Sequence, residues 1–219
     1  MSTNKNPRAP TNNLVLCLDA ANVSSYGGSG TNWNDLSYSN NNGVLTNGAT
    51  FSSVNGGTMV FDGTNDCVVI NNNADILSKT TYTKIAWFNI TSYKYNIISG
   101  GNSGQHAMWL SGTNQLHAGH NGFWSTVTST RTLSLNVWYF GAVTFNTTSG
   151  WELYVNGVRE STSSNTTTFN GNREILIGAY GTGSNLFDGK ISLALVYNRV
   201  LSSSEILTYY QGTKGRYGI

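Results

Sequence analysis

From Leu14 onward, short apolar runs recur along the chain with turn residues between them. Brief apolar or alternating segments bounded by Gly, Asn, Asp and Ser are the pattern of β-strands. Strands are expected at Leu14–Leu18, Thr58–Phe61, Cys67–Ile70, Thr81–Ile90, Tyr95–Ser99, Ala107–Leu110 and Gln115–Ala118. Further strands are expected at Val137–Phe145, Trp151–Val155, Glu174–Ala179 and Lys190–Tyr197. Val137–Phe145 is apolar and aromatic throughout, as a central strand should be. Trp151, Leu153 and Val155 alternate with more polar neighbours and share one face. Asn156-Gly157 closes a hairpin after that strand, and Asp62-Gly63-Thr64-Asn65 reads as a second hairpin turn. One helix interrupts the β rhythm. Ser202-Ser203-Ser204-Glu205 is a capping box, and Ile206, Leu207 and Tyr210 offer an apolar side beyond it.

Met1 to Asn13 holds both prolines and shows no periodicity. It reads as a flexible docking arm, followed by a single domain over residues 14–219. Composition supports an all-β domain. Asn, Ser, Thr and Gly together make up 105 of the 219 residues, while charged residues are 10% against the roughly 25% usual in globular proteins. Leu, Ile, Val and Phe total 50, enough for one sizeable core. Long helical bundles are excluded by the scarcity of helix formers at helical spacing. A net charge of +2 without a basic stripe argues against nucleic acid as a partner. No apolar stretch approaches the roughly 20 residues of a membrane span, and no apolar leader opens the chain, so neither a membrane partner nor a secretion signal is expected. Cys17 and Cys67 lie within apolar runs and are expected as reduced, buried thiols.

Catalytic chemistry finds little to work with. Glycoside hydrolysis needs two carboxyl groups roughly 5 to 9.5 Å apart. Glu152, Glu160, Glu174 and Glu205 have no acidic partner two positions on, and Asp62 and Asp66 flank a turn. No Gly-x-Ser-x-Gly occurs, and the glycines of Tyr26–Gly30 lack the Lys-Ser/Thr of a phosphate loop. A non-enzymatic protein is expected. His117 and His120 stand at HxxH spacing, but on a strand those positions point to opposite faces, so with His106 they read as polar surface histidines, not a metal site. The segment Gln105 to Trp124 is the exception in interest. Trp109, His117, His120, Asn121 and Trp124 have the composition of a carbohydrate-binding surface, with aromatic faces for sugar rings and polar side chains for hydroxyls. Against that, Trp109 and Trp124 could simply fill the core.

Several stretches carry a family resemblance. Phe187-Asp188-Gly189-Lys190-Ile191 runs through Leu195-Val196-Tyr197-Asn198-Arg199 to Leu201-Ser202 and Glu205-Ile206. Trp138-Tyr139 stands with Leu153-Tyr154-Val155-Asn156-Gly157, and Val60-Phe61-Asp62-Gly63 lies upstream. Together they resemble the laminin-G-like branch of the concanavalin A-like lectin/glucanase superfamily, over about Leu14 to Tyr210. Leu16 to Asn22, Ser25-Tyr26, Gly28-Ser29-Gly30, Trp33 and Asp35-Leu36-Ser37, with the ending Thr213 to Gly218, are similar to modules in virion proteins of tailed phages, cyanophages in particular. The resemblance implies a jelly-roll β-sandwich of two antiparallel sheets with one short C-terminal helix. It further implies a virion structural protein made in the host cytoplasm, such as a capsid decoration protein. Its arm would dock to a major capsid or tail protein. The alternative is an adhesin or tail-fibre module that binds host glycan, and a homo-oligomer is possible in either setting. No cofactor is required. The calcium sites of the wider superfamily are in doubt, because Ser192 and Leu193 stand where many relatives carry acidic residues.

Overall fold

A computed structural model describes residues 9–71, 74–93, 95–101, 105–181 and 185–219. Residues 1–8 of the expected arm lie outside that set. The chain opens with β1 (Leu14–Asp19), β2 (Asn32–Trp33), β3 (Gly43–Thr46), β4 (Thr50–Ser52), β5 (Thr58–Asp62) and β6 (Cys67–Ile70). It continues through β7 (Thr81–Ile90), β8 (Tyr95–Ser99), β9 (His106–Leu110), β10 (Leu116–His120) and β11 (Phe123–Thr128). Then come β12 (Trp138–Asn146), β13 (Gly150–Val155), β14 (Val158–Ser163), β15 (Leu176–Ile177) and β16 (Asp188–Tyr197). Helix α1 (Ser203–Thr213) and a 3-10 turn at Lys214–Tyr217 close it.

The strands form two antiparallel sheets. The first runs β14-β13-β12-β7-β16-β5-β4, with β1 also paired to β16; the second runs β11-β10-β9-β8-β15-β6-β3-β2. The expected jelly-roll sandwich with a short C-terminal helix is what the chain adopts. The expected hairpin at Asp62–Asn65 is not one. β5 pairs with β4 and β16 in the first sheet, whereas β6 pairs with β3 and β15 in the second. The turn carries the chain from one layer to the other, held by the Asp66 carboxylate, which accepts the Asp62 N–H at 3.0 Å. The Glu174–Ala179 strand shrinks to Leu176–Ile177, and β2, β3, β4, β11 and β14 add strands that are short or largely polar.

Alternation decides what each face buries. On β7, Tyr82, Ala86, Phe88 and Ile90 point between the sheets, while Ile85 and Trp87 point outward to a second apolar cluster. Trp151, Leu153 and Val155 face the inter-sheet core as expected, and Tyr154 faces the other way. On β16, Ile191 pairs with Phe88 and Leu193 pairs with Trp87, so Ser192 is an extra residue in a β-bulge. The bulge switches the inward-facing set from Ile191 to Ala194 and Val196, and sends Leu193, Leu195 and Tyr197 outward.

The outward cluster lies under α1. Ser202 accepts the Glu205 N–H at 3.2 Å and Glu205 accepts the Ser202 N–H at 2.8 Å, the capping box read from the sequence. Arg199 donates two bonds to the Glu205 carboxylate at 3.0 and 2.7 Å, which holds that carboxyl down at about 2. The buried side of α1 is Ile206, Tyr209 and Thr213; Leu207, expected with them, is exposed. The Trp87 indole donates to the Thr213 hydroxyl at 2.9 Å and stacks on Tyr217 at 4.0 Å.

Among the described residues, every non-glycine position with a left-handed φ is an asparagine. Asn tolerates that region better than other side chains. Much of the Asn excess is therefore corner chemistry. Asn156-Gly157 joins β13 to β14, and Asn121-Gly122 joins β10 to β11, each as a two-residue turn with both φ positive.

Candidate functional site

The outer face of the second sheet carries a hollow of about 180 Å³ lined by Tyr95, Asn96, Ala107, Trp109, Trp124, Tyr180 and Asn185. Strand parity puts it there. On β9, Met108 and Leu110 belong to the inter-sheet core, so Ala107 and Trp109 face out. Across the ladder, Trp109 pairs with Asn96 on β8 and with His117 on β10. Trp109 and His117 stack with centroids 4.8 Å apart, so His117 covers the β10 side of the indole and leaves the Asn96 side to the hollow.

Trp124 supplies the opposite wall because β11 bends over the sheet. Gly119 permits this: a Cβ there would stand 1.9 Å from the Phe123 carbonyl oxygen. With the chain this close, the Trp109 indole N–H donates to the Trp124 carbonyl at 2.7 Å. The Trp124 ring meets Tyr180 edge to face at 5.2 Å. Both tryptophans are half-buried and belong to none of the core clusters, which settles the core-filling alternative against them.

Polar groups sit at one end. Asn96 accepts the Ser99 hydroxyl at 2.7 Å and donates weakly to the Asn185 carbonyl at 3.3 Å, leaving part of its amide unused. The Asn185 side chain is exposed and has no hydrogen-bond partner among the described residues. No described residue of the lining is charged.

The expected histidines and Asn121 separate from this hollow. His117 lies behind Trp109, bonded to the Ser111 hydroxyl at 2.7 Å and the Thr128 hydroxyl at 2.9 Å; burial lowers its pKa, so the ring is neutral near pH 7. His120 points the other way, into the core between Phe145, Trp151 and Phe169, with Nε2 donating to the Thr167 carbonyl at 2.5 Å. The HxxH pair does face opposite ways. The expectation of surface histidines is corrected, however, because His106, His117 and His120 are all buried. Their imidazoles find partners inside: a carbonyl for His120, a carbonyl and the Lys84 amine for His106, and two hydroxyls for His117; among the described residues only the His120 Nδ1 stays unpaired. Asn121 is the first residue of the β10–β11 turn, and its amide is spent on the Thr168 carbonyl and the Asn170 N–H. Of the five residues read as carbohydrate-binding, Trp109 and Trp124 line the hollow and His117 backs it.

Five lining residues were not read as site residues: Tyr95, Asn96, Ala107, Tyr180 and Asn185. A pairing of β8 with β9 would have placed Asn96 beside Trp109. Tyr180 and Asn185 reach the site through a loop that no periodicity describes.

The glutamates are engaged elsewhere. Glu152 accepts from Tyr154 and from Arg159, Glu160 from Arg131 and Thr130, Glu174 from Asn172, and Glu205 from Arg199. For calcium, Ser192 and Leu193 do not fit. The Ser192 hydroxyl donates to the Gly57 carbonyl and also accepts from the Arg216 guanidinium, a neighbour that repels a cation, and Leu193 lies in an apolar cluster. Among the described residues no three His, Cys, Asp or Glu side chains gather. Cys17 and Cys67 are free thiols.

A family model for the Concanavalin A-like lectin/glucanases superfamily matches residues 61–207. Among solved structures, Domain 4 of AbnA, a GH43 extracellular arabinanase from Geobacillus stearothermophilus in complex with arabinotriose, superposes with a TM-score of 0.72 at 15% identity, over 92% of this chain and 100% of that one. Trypanosoma rangeli sialidase matches with a TM-score of 0.70 at 19% identity over 95% of this chain, which spans 34% of the sialidase. The binding domain of Paraclostridial Mosquitocidal Protein 1 matches with a TM-score of 0.69 at 16% identity, over 90% of this chain and 52% of that one. These likenesses show the fold. No curated protein sequence matches the chain.

Proposed function

Because the chain belongs to the concanavalin A-like lectin/glucanases superfamily, we propose that it is a non-catalytic glycan-binding module. Its binding surface is the aromatic hollow between Trp109 and Trp124. The hollow itself carries this reading: four aromatic rings converge with two asparagines on the outer face of the second sheet. One face of a sugar ring is a patch of C–H groups, which packs on the electron-rich face of an aromatic ring. Its hydroxyls then need amide partners, which Asn96 and Asn185 offer. The arabinotriose complex of the structurally similar Domain 4 adds support from a shared fold. The reading of a non-enzyme rests on the carboxylates, none of which lines the hollow among the described residues.

A glycan array with the purified chain tests the proposal. Binding to a defined set of glycans, lost in Trp109→Ala and Trp124→Ala variants that keep the wild-type circular dichroism, is the expected result. Binding that survives both substitutions overturns the site, and no binding to any glycan overturns the function. Display on a phage particle is a proposal about where such a module works. Stoichiometric recovery of the chain on purified virions tests it, and absence from them overturns it.

A further inference from the structure

The hollow has a chemistry narrower than "glycan", and this inference rests on the glycan-binding reading above. We infer that it takes one uncharged sugar ring at the end of a glycan, and discriminates against anionic sugars. Size limits the ligand first. About 180 Å³ is below the roughly 300–1,000 Å³ of pockets that enclose drug-sized ligands. One ring fits; a chain of rings must continue in solvent.

Charge limits it second. A carboxylate or sulfate brought against four aromatic rings loses hydration and meets the negative faces of their π-systems. Recovery of that cost needs an Arg, a Lys or several aimed N–H groups. The described lining offers none of these cations. The Trp109 indole N–H, a possible anion donor, is already committed to the Trp124 carbonyl. His117, the titratable group directly behind Trp109, has both ring nitrogens engaged by hydroxyls. What the described lining leaves uncommitted is amide and hydroxyl: the Asn185 side chain, part of Asn96 and the Tyr95 hydroxyl. An amide donates and accepts at once, which suits a sugar hydroxyl that does the same.

The experiment is isothermal titration with matched oligosaccharides. Neutral glucose-, galactose- and mannose-terminated trisaccharides are compared with sialic acid-, uronic acid- and sulfate-terminated counterparts. Each is measured from about 50 to about 500 mM NaCl, which spans strong to weak screening. A neutral terminus should bind at least about tenfold tighter than its anionic counterpart, with affinity changing less than about twofold with salt. The matching monosaccharide should retain most of the affinity. Preference for the anionic terminus, or affinity that falls with salt, overturns this inference and leaves the glycan-binding reading standing. Binding that needs the full trisaccharide overturns the single-ring assignment. Absence of binding to every sugar overturns both.

Discussion

The Lys84 Nζ lies 2.5 Å from the His106 Nδ1 in the middle of the sandwich. Lys84 occupies a core-facing position of β7, between Tyr82 and Ala86, and reaches across the gap to the second sheet. There it also donates to the Ile98 carbonyl at 3.3 Å and lies 5.4 Å from the centre of the Tyr82 ring. His106 Nε2 is 3.0 Å from the Glu174 carbonyl and donates to it, so its Nδ1 accepts from the amine. Among the described residues no salt bridge involves Lys84. An unpaired charge is costly in such a place, and burial pushes Lys84 well below its usual range. Burial first, and the Lys84 charge second, push His106 down; burial lowers His120 to about 4.

Acid should therefore unfold this protein. Lys84, His106 and His120 are bases with depressed folded pKa values, so the unfolded chain binds more protons below each unfolded value. The Lys84 contribution is lost as pH falls below the ordinary lysine value of 10.5, and that of His120 as pH falls from 6.5 through about 4. Glu205, depressed to about 2, adds a further loss below 4.5. Urea midpoints measured from about pH 9 to about pH 4 should decline monotonically. A flat profile would show that the buried amine is not desolvated.

Lys84→Met should raise stability at neutral pH. Methionine keeps the aliphatic length and removes the group that has to stay uncharged. The gain is the desolvation cost of the amine, offset by about 1–3 kcal/mol for leaving the His106 Nδ1 without its donor. The same variant should flatten the alkaline arm of the pH profile while keeping the acid arm due to the histidines. Denaturant titration at pH 7 and pH 9 reads both effects.

Trp124→Ala should remove about 2 kcal/mol of sugar affinity, the size of an interface anchor, while the melting temperature moves little. Asn185→Ala should cost less, about 0.5–1.5 kcal/mol, as one hydrogen bond would. Titration calorimetry beside thermal melts separates lost contacts from lost fold.

Gly119→Ala should abolish binding without touching the ligand. The added methyl meets the Phe123 carbonyl, so β11 must lift and carry Trp124 away from Trp109. The expected destabilisation is about 1–3 kcal/mol. Quenching of tryptophan fluorescence by acrylamide should rise in this variant, reporting the opened wall.

The two thiols should be slow to react in the native state. Burial raises Cys17 to about 12 and raises Cys67 above its usual value, so little thiolate exists near neutral pH. Alkylation by iodoacetamide should need denaturant.

Strands with strong apolar content were legible in sequence: Cys67–Ile70, Thr81–Ile90 and Tyr95–Ser99 have the expected limits. So did the start of α1, because a capping box is local. β14, with Val158–Ser163 largely polar, and β11, with a single buried residue in Phe123–Thr128, were not legible, because edge strands carry little of the core. The site was half legible. Trp109 and Trp124 drew attention by residue type, but Asn96 joins them only through sheet pairing, and Tyr180 and Asn185 lie outside every strand. His120 was misplaced because its polarity suggested the surface, while strand parity sends it inward.

The Ser192 bulge has a consequence for how such a chain can vary over time. Every residue of β16 beyond it owes its orientation to that single extra position. Were Ser192 drawn into regular pairing, so that the bulge closed with the residue kept, the Ala194 and Val196 side would turn away from the inter-sheet space and Leu193, Leu195 and Tyr197 would enter it. Lineages carrying this domain should thus accept substitutions along β16 far more readily than the loss or gain of one paired residue in it. Strand length there behaves like a reading frame, with a parity that selection has to preserve.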